Sequence, residues 1–355
     1  MSFEFSKNIF GLDVSEKKLR LIQTKKKGKN LVISSFNEAG LAPGIIINGE
    51  IKEPEKMVEA IGKLIKTAKG DKITTKNVAA VLPEPKTFIK VIEVPLAEEK
   101  KELNTKIEEE IKNHIPMSLE EIYLDWQILN KTNNNFKVLV GATPKNISES
   151  YFSAIEQANL IPLALEIEAI AICRTLIDRK EKQKKEAKII IDFGAVRTGL
   201  IVYDHGSVRF TVSLPISGDK ITKTIAETLK LDLEKAEKAK IVCGLDQKKC
   251  EGALSKILVN TINTLAVHIK KTITFYKTNF PDSNPVTEII LCGGGSNLDQ
   301  IDKILSEKLQ LPVKIGNPMT NLGLNKKLDI PKDKLSSYTT AIGLALRTGQ
   351  KEKLI

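Results

Sequence analysis

Two segments of the 355-residue chain carry acids, glycines and hydroxyls in an order that could hold a phosphorylated ligand. The first is an apolar run, Ile189, Ile190 and Ile191, that ends in Asp192 and continues through Phe193 and Gly194 to Thr198. A strand ending in a carboxylate, then a tight turn with its backbone N–H groups and a hydroxyl, can cradle a phosphate and hold its Mg²⁺ through water. Asp and Gly are also the default residues of a plain hairpin turn, so the segment alone does not decide. The second is Ile289 to Cys292, followed by Gly293, Gly294, Gly295, Ser296 and Asn297. Three glycines between a strand and a helix let backbone approach a flat ligand or a phosphate, which is more than a turn with Ser296 or Asn297 as N-cap requires. Neither segment is a Walker A loop or a dinucleotide fingerprint: no Lys-Ser/Thr pair follows the glycines and no ribose-binding acid lies at the right distance.

Other chemistries are poorly served. Cys173, Cys243, Cys250 and Cys292 include no C-x-x-C pair, which predicts free, mostly buried thiols in a reducing compartment. His114, His205 and His268 have no i, i+4 partner for a metal. Lys and Arg exceed Asp and Glu by 55 to 44, a formal charge of +11. Only six of the basic residues are Arg, and the lysines are scattered rather than interleaved with aromatics, which argues against nucleic acid and leaves attraction to an anionic membrane face. No apolar run approaches the roughly 18 residues of a membrane span, and Glu4 and Lys7 interrupt any signal peptide, so a cytosolic protein is expected.

The elements that must position these segments follow from periodicity. Residues 9–36 read as strands around a Lys25-Lys26-Lys27-Gly28-Lys29 turn, a solvated hairpin tip, and 54–69 as an amphipathic helix with Met57, Val58, Ile61, Leu64, Ile65 and Ala68 on one face. From 83 to 163 the order strand, helix (97–114, ended by Pro116), strand, strand, helix predicts a separate α+β unit. A helix over 166–176 and a charged linker over 178–188 precede a second strand pair. Helices follow over 220–229, 233–242, 252–275 and 298–309, with a strand at 288–291, a last helix at 336–347 and a polar tail. A strand-Asp-turn-strand pattern around Asp13 recurs around Asp192, which suggests two related lobes.

In order, Phe10-Gly11-Leu12-Asp13, Glu168 to Ala171, Asp192 to Gly194 with Thr198, Ala236 to Lys240, Gly293 to Gly295 and Ala341 to Ala345 resemble the landmarks of the actin-like ATPase superfamily over essentially the whole chain. Within it the chain looks most like the PilM-type pilus assembly proteins, relatives of the division protein FtsA. The stretches Pro83 to Pro95 and Ile107 to Ile115 are similar to the extra 1C subdomain of both families, and Ser217-Gly218-Asp219 to Lys240 is similar to the opening of their second lobe. The tail, Gln350 to Ile355, is too short and polar for the terminal membrane helix of FtsA.

The resemblance implies an α/β, two-lobed, ribonuclease H-like fold: a lobe 1 core (1A) of 1–83 completed by 164–187 and 336–355, an inserted 1C subdomain over 84–163, and a second lobe (2A/2B) over 188–335. It implies ATP in the interlobe cleft with Mg²⁺ held through water by Asp13 and Asp192. Gly194 and Thr198 would touch phosphates, Glu237 and Lys240 the nucleoside sugar, and Gly293 to Asn297 the adenosine. Glu168 would orient an attacking water. The first hairpin departs from the family pattern: Ser15 replaces a glycine and Glu16, Lys17 and Lys18 replace hydroxyls, so Glu16 would repel a triphosphate while Lys17 or Lys18 compensates, and hydrolysis should be slow or absent. The implied partner is the cytoplasmic N-terminal segment of a PilN-type single-pass inner-membrane protein, docked between 1A and 1C, with self-association compatible and contact with the membrane indirect. The rival readings are an FtsA-like polymerising protein and a small-molecule kinase of the superfamily.

Overall fold

The computed structural model describes residues 8–115, 117–179, 185–325, 328 and 330–347. Pro116, the 180–184 part of the expected linker and the tail from 348 lie outside the described residues. The chain opens with β1 (Phe10–Val14), β2 (Lys18–Lys27), β3 (Asn30–Gly40), β4 (Ile46–Ile47), β5 (Glu50–Ile51), α1 (Pro54–Lys66), β6 (Lys69–Gly70) and β7 (Asn77–Leu82). Pro54 at the first helical position, Glu55 in the first turn and Lys63 and Lys66 in the last start and end α1, which buries Met57, Ile61 and Leu64. Next come β8 (Phe88–Pro95), α2 (Lys100–Ile111), β9 (Ile122–Lys131), β10 (Asn135–Pro144), α3 (Lys145–Gln157), β11 (Ile161–Ile167) and α4 (Glu168–Leu176). The second half contains β12 (Ala187–Phe193), β13 (Thr198–Asp204), β14 (Ser207–Leu214), α5 (Gly218–Leu229), α6 (Leu233–Cys243), α7 (Ala253–Asn279), β15 (Val286–Cys292), α8 (Ile301–Leu309), β16 (Val313–Ile315), α9 (Lys332–Leu335) and α10 (Thr339–Ala345).

Two large sheets result. The first lobe holds six strands in the order β11-β7-β1-β2-β3-β6, with β7 parallel to both β1 and β11. The second sheet has eight strands, β16-β15-β12-β13-β14-β8-β10-β9, so the inserted unit extends the sheet of the second lobe, joined to it by the single register pair Phe210–Lys90. The insertion has its own core, in which Leu103, Ile107 and Ile111, spaced four apart on α2, pack on Ile92, Val94, Val138 and Val140. Beyond β10 the chain packs on the first lobe. Helix α3 puts Ile147, Tyr151, Ala154 and Ile155 into the first-lobe core with Leu12, Ile61 and Val78, and β11 pairs with β7, so both belong to the first lobe. Helix α10 crosses β1 and α4 so closely that a Cβ on Gly11 would lie 2.3 Å from the Ala341 carbonyl oxygen and one on Gly343 1.9 Å from that of Ala171.

The thiols also differ from expectation. Cys173 and Cys292 are free and buried, but Cys243 and Cys250 form a disulfide, because the 244–249 turn, begun by Gly244 at φ +54°, brings their Cα atoms to 5.8 Å.

Candidate functional site

The ends of β1 and β12 bring three carboxylates together between the lobes. Asp13, Asp192 and Glu168, the first residue of α4, are mutually close, and the protein supplies little opposing charge. Burial, then the negative charge of Asp13, pushes the Asp192 carboxyl up to about 6. Burial, reinforced by Asp192, Asp13 and Glu84, holds Glu168 well above the usual carboxylate range, against one hydrogen bond of 3.2 Å from Thr340 Oγ1. Burial also raises Asp13, although Arg20 Nη1 lies 3.2 Å from its Oδ2. Arg20 is shared, its Nε donating to Glu38 at 3.0 Å.

The other expected ligand residues are placed as follows. Ser15 closes the β1–β2 turn, its Oγ donating to the Lys18 carbonyl at 2.9 Å, and Lys18 Nζ pairs with Glu38 at 2.9 Å. Glu16 accepts a 3.1 Å bond from the Gly49 amide, which ties it to the β4–β5 turn. Lys17 spans the cleft to Asp219 in the first turn of α5. Gly194 accepts the Gly218 amide at 3.0 Å, while the Thr198 hydroxyl is buried and donates to the Ile216 carbonyl at 2.7 Å. Glu237 and Lys240, three apart on α6, pair at 2.6 Å, and Lys240 also donates to the Gly218 carbonyl at 3.2 Å. The glycine run has a packing reason: a Cβ on Gly293, at φ +78°, would sit 2.4 Å from Asp192 Oδ1, and one on Gly295 2.6 Å from the Phe193 ring. Gly294 begins a 3₁₀ turn through Asn297, whose Nδ2 donates to the Asp333 carbonyl at 2.7 Å, and buried Ser296 donates to the Gly293 carbonyl at 2.8 Å. Helix α8 therefore starts at Ile301, three residues later than the sequence suggested.

A second site lies behind α4. A groove of about 1050 Å³ runs between the insertion and the first lobe, and it is lined mostly by apolar side chains. One wall is β9, whose Tyr123, Asp125, Gln127 and Leu129 alternate toward it while Ile122 joins the insertion core. Phe152 of α3 and Ile170 and Cys173 of α4 form the facing wall, and the β13–β14 turn of the second lobe, through Tyr203, Ser207 and Val208, forms a third. β9 and β11 are both edge strands. In the floor, Arg174 holds both oxygens of Glu166, at 2.7 and 2.6 Å, and Arg347 reaches the same carboxylate at 2.6 Å. Burial raises the Glu166 carboxyl, but the two guanidinium groups outweigh it and hold it below the ordinary range. Arg174 also donates to the Gly343 carbonyl at 2.9 Å, so α4 and α10 link the groove floor to the carboxylate cluster: Glu166 faces one and Glu168 the other.

The resemblance implies docking beside the insertion, and none of the groove residues is marked in the sequence. Its polar members are far apart in the chain, and the alternation of apolar Ile122, Leu124, Trp126 and Ile128 with polar partners is the one local sign of a two-faced strand there.

The fold has solved relatives. A PilM-PilN type IV pilus biogenesis complex matches 97% of this chain and 99% of its own with a TM-score of 0.83 at 22% identity. MreB5 of Spiroplasma citri bound to ADP matches 96% of this chain and 95% of its own with a TM-score of 0.56 at 12% identity. The fold is therefore the two-lobed actin-like one. Among division proteins, FtsA of Neisseria meningitidis is 28% identical over 183 residues, covering 46% of this chain and 43% of that protein, and FtsA of Pseudomonas aeruginosa is 23% identical over 237 residues, covering 61% and 54%. The chain spans about half the length of these relatives. A profile of the type IV pilus assembly protein PilM family matches residues 11–349. The chain belongs to the PilM family of type IV pilus assembly proteins.

Proposed function

We propose that this chain is an ATP-binding cytoplasmic scaffold of a type IV pilus machine, and that it captures the cytoplasmic N-terminal segment of a PilN-type single-pass inner-membrane protein in the groove between insertion and first lobe. The observation that carries the reading is the groove itself. It is long, apolar, flanked by edge strands whose free N–H and C=O groups suit an extended peptide, and floored by a rigid ion network. The matched complex is one between PilM and PilN, which supports the same occupant here. No helix among the described residues is long and apolar enough to cross a membrane, and capture of a membrane-anchored partner would bring the scaffold to the inner face.

The carboxylate cluster fits a hydrated divalent cation. Three buried like charges share one Arg, and no group of three or more His, Cys, Asp or Glu among the described residues is arranged to ligate a metal directly. Asp13 and Asp192 would hold Mg²⁺ through water, and bound ATP would supply phosphate charge for it to neutralise. Lys17 and the first turn of α5 would face those phosphates, and the Glu237–Lys240 pair the sugar. The ADP of MreB5 supports a nucleotide in this fold.

Titration of the protein with a synthetic N-terminal peptide of its PilN-type partner tests the capture. Tyr123→Ala and Phe152→Ala, both exposed on the groove walls, should each weaken the peptide about tenfold while leaving the fold intact. Unchanged affinity in both would rule the groove out. Turnover should be negligible, because Ser15 and Lys18 are engaged within the first lobe and are not free to act on a phosphate. Phosphate release on the order of 1 s⁻¹ or faster would contradict this.

A further inference from the structure

The β2–β3 hairpin overhangs the body of the first lobe. Pairing of β1 with β2 begins only at Gln23, a register shift follows between Gln23 and Thr24, and the six residues 25–30 are all exposed. Lys27 pairs with Asn30 across a turn made by Gly28 at φ +61°. Four of those six residues are Lys25, Lys26, Lys27 and Lys29. Lys25 pairs with Asp71 at 2.6 Å, whereas Lys26, Lys27 and Lys29 have no ion pair among the described residues.

An independent feature lies beside this arm. The 323–325 segment runs along it, with the Gly323 amide donating to the Leu31 carbonyl and Asn325 Nδ2 to that of Ile33, each at 2.8 Å. Between these anchors Leu324 is 78% exposed, the most exposed large apolar side chain among the described residues. An isolated exposed leucine is unremarkable, but one held at the base of three uncompensated lysines is not.

We propose that the 25–30 arm and Leu324 form a docking surface for an anionic phospholipid bilayer. Ammonium groups on flexible stems, with no aromatic residue among 25–30, suit a diffuse plane of negative headgroups better than the stacked bases of a nucleic acid. Leu324 would enter the boundary between headgroups and acyl chains, which an acidic protein surface does not offer. This surface is separate from the peptide groove and needs no partner protein.

The test is co-sedimentation of the full chain with vesicles of phosphatidylcholine alone and with about a third phosphatidylglycerol. The unmodified protein should bind only the anionic vesicles, and the Lys26→Gln/Lys27→Gln/Lys29→Gln variant should bind roughly a hundredfold more weakly. Leu324→Ser should lower binding several-fold. A control of equal charge change on the second lobe, Lys256→Gln/Lys270→Gln/Lys303→Gln, should bind as the unmodified protein does. Absence of binding to anionic vesicles, or equal losses in both triple variants, would overturn the proposal. Far-UV circular dichroism confirms that every variant is folded.

Discussion

Glu166→Ala should lower the unfolding free energy by about 3–5 kcal/mol, a large fraction of the stability of a typical protein. Its carboxylate is only 6% exposed and is the common partner of Arg174 and Arg347, which are themselves 6% and 9% exposed. Removing it takes away the buried carboxylate that both guanidinium groups share under the apolar groove. The loss is therefore chiefly the cost of leaving two buried cations less compensated and not the worth of the ion pairs. Urea denaturation measures it, and a loss below about 1 kcal/mol would show that water or rotation of the arginines rescues the floor. Glu166→Gln should fall in between, because it keeps acceptor geometry for one guanidinium while giving up the charge. Peptide affinity should fall in the same order, since the floor is also the contact surface of the groove.

Asp192→Asn should have opposite effects on two measurements. It should weaken Mg-ATP by roughly 10- to 100-fold, the scale of one charge-assisted contact, as read by calorimetry. Without nucleotide it should raise the melting temperature, because it relieves repulsion among Asp13, Glu168 and Asp192 that Arg20 alone does not neutralise. Function-bearing clusters commonly cost stability in this way. A variant that bound Mg-ATP normally, or one destabilised in the absence of ligand, would contradict this account of the cluster.

The two lobes were legible because each repeats one strong local signal, a buried strand ending in Asp. The landmarks around Asp13, Asp192 and Gly293 then fell at the expected ends of β1, β12 and β15. Strand β11 was hidden because Pro162 breaks its apolar run and Glu166 reads as the start of a helix; only the parallel partner β7, some eighty residues away, makes it a strand. Strand β14 carries a clean alternation, Val208, Phe210, Val212 and Leu214, that marks it in the sequence alone. The assignments hardest to reach were the side-chain commitments. Nothing in the order Ser15, Glu16, Lys17, Lys18 says that Glu16 will bond Gly49, Lys18 will bond Glu38 and only Lys17 will cross to Asp219. The glycines at 293 and 295 were read as room for a ligand, and packing on Asp192 and Phe193 already demands both.

The join between β14 and β8 bears on how force would pass through the molecule. A pull on a peptide held in the groove loads the insertion, and the insertion meets the second lobe along one hydrogen-bonded register pair, Phe210–Lys90, with the Lys137–Asp282 ion pair at 2.6 Å beside it. Elsewhere in the same sheet, neighbouring strands share ladders of up to nine residue pairs. The seam is thus the shortest ladder in that sheet, and because Ile89, Val91 and Leu139 share a buried core with Ile201, Tyr203 and Val208 across it, a pull there would be resisted by apolar packing more than by backbone hydrogen bonds.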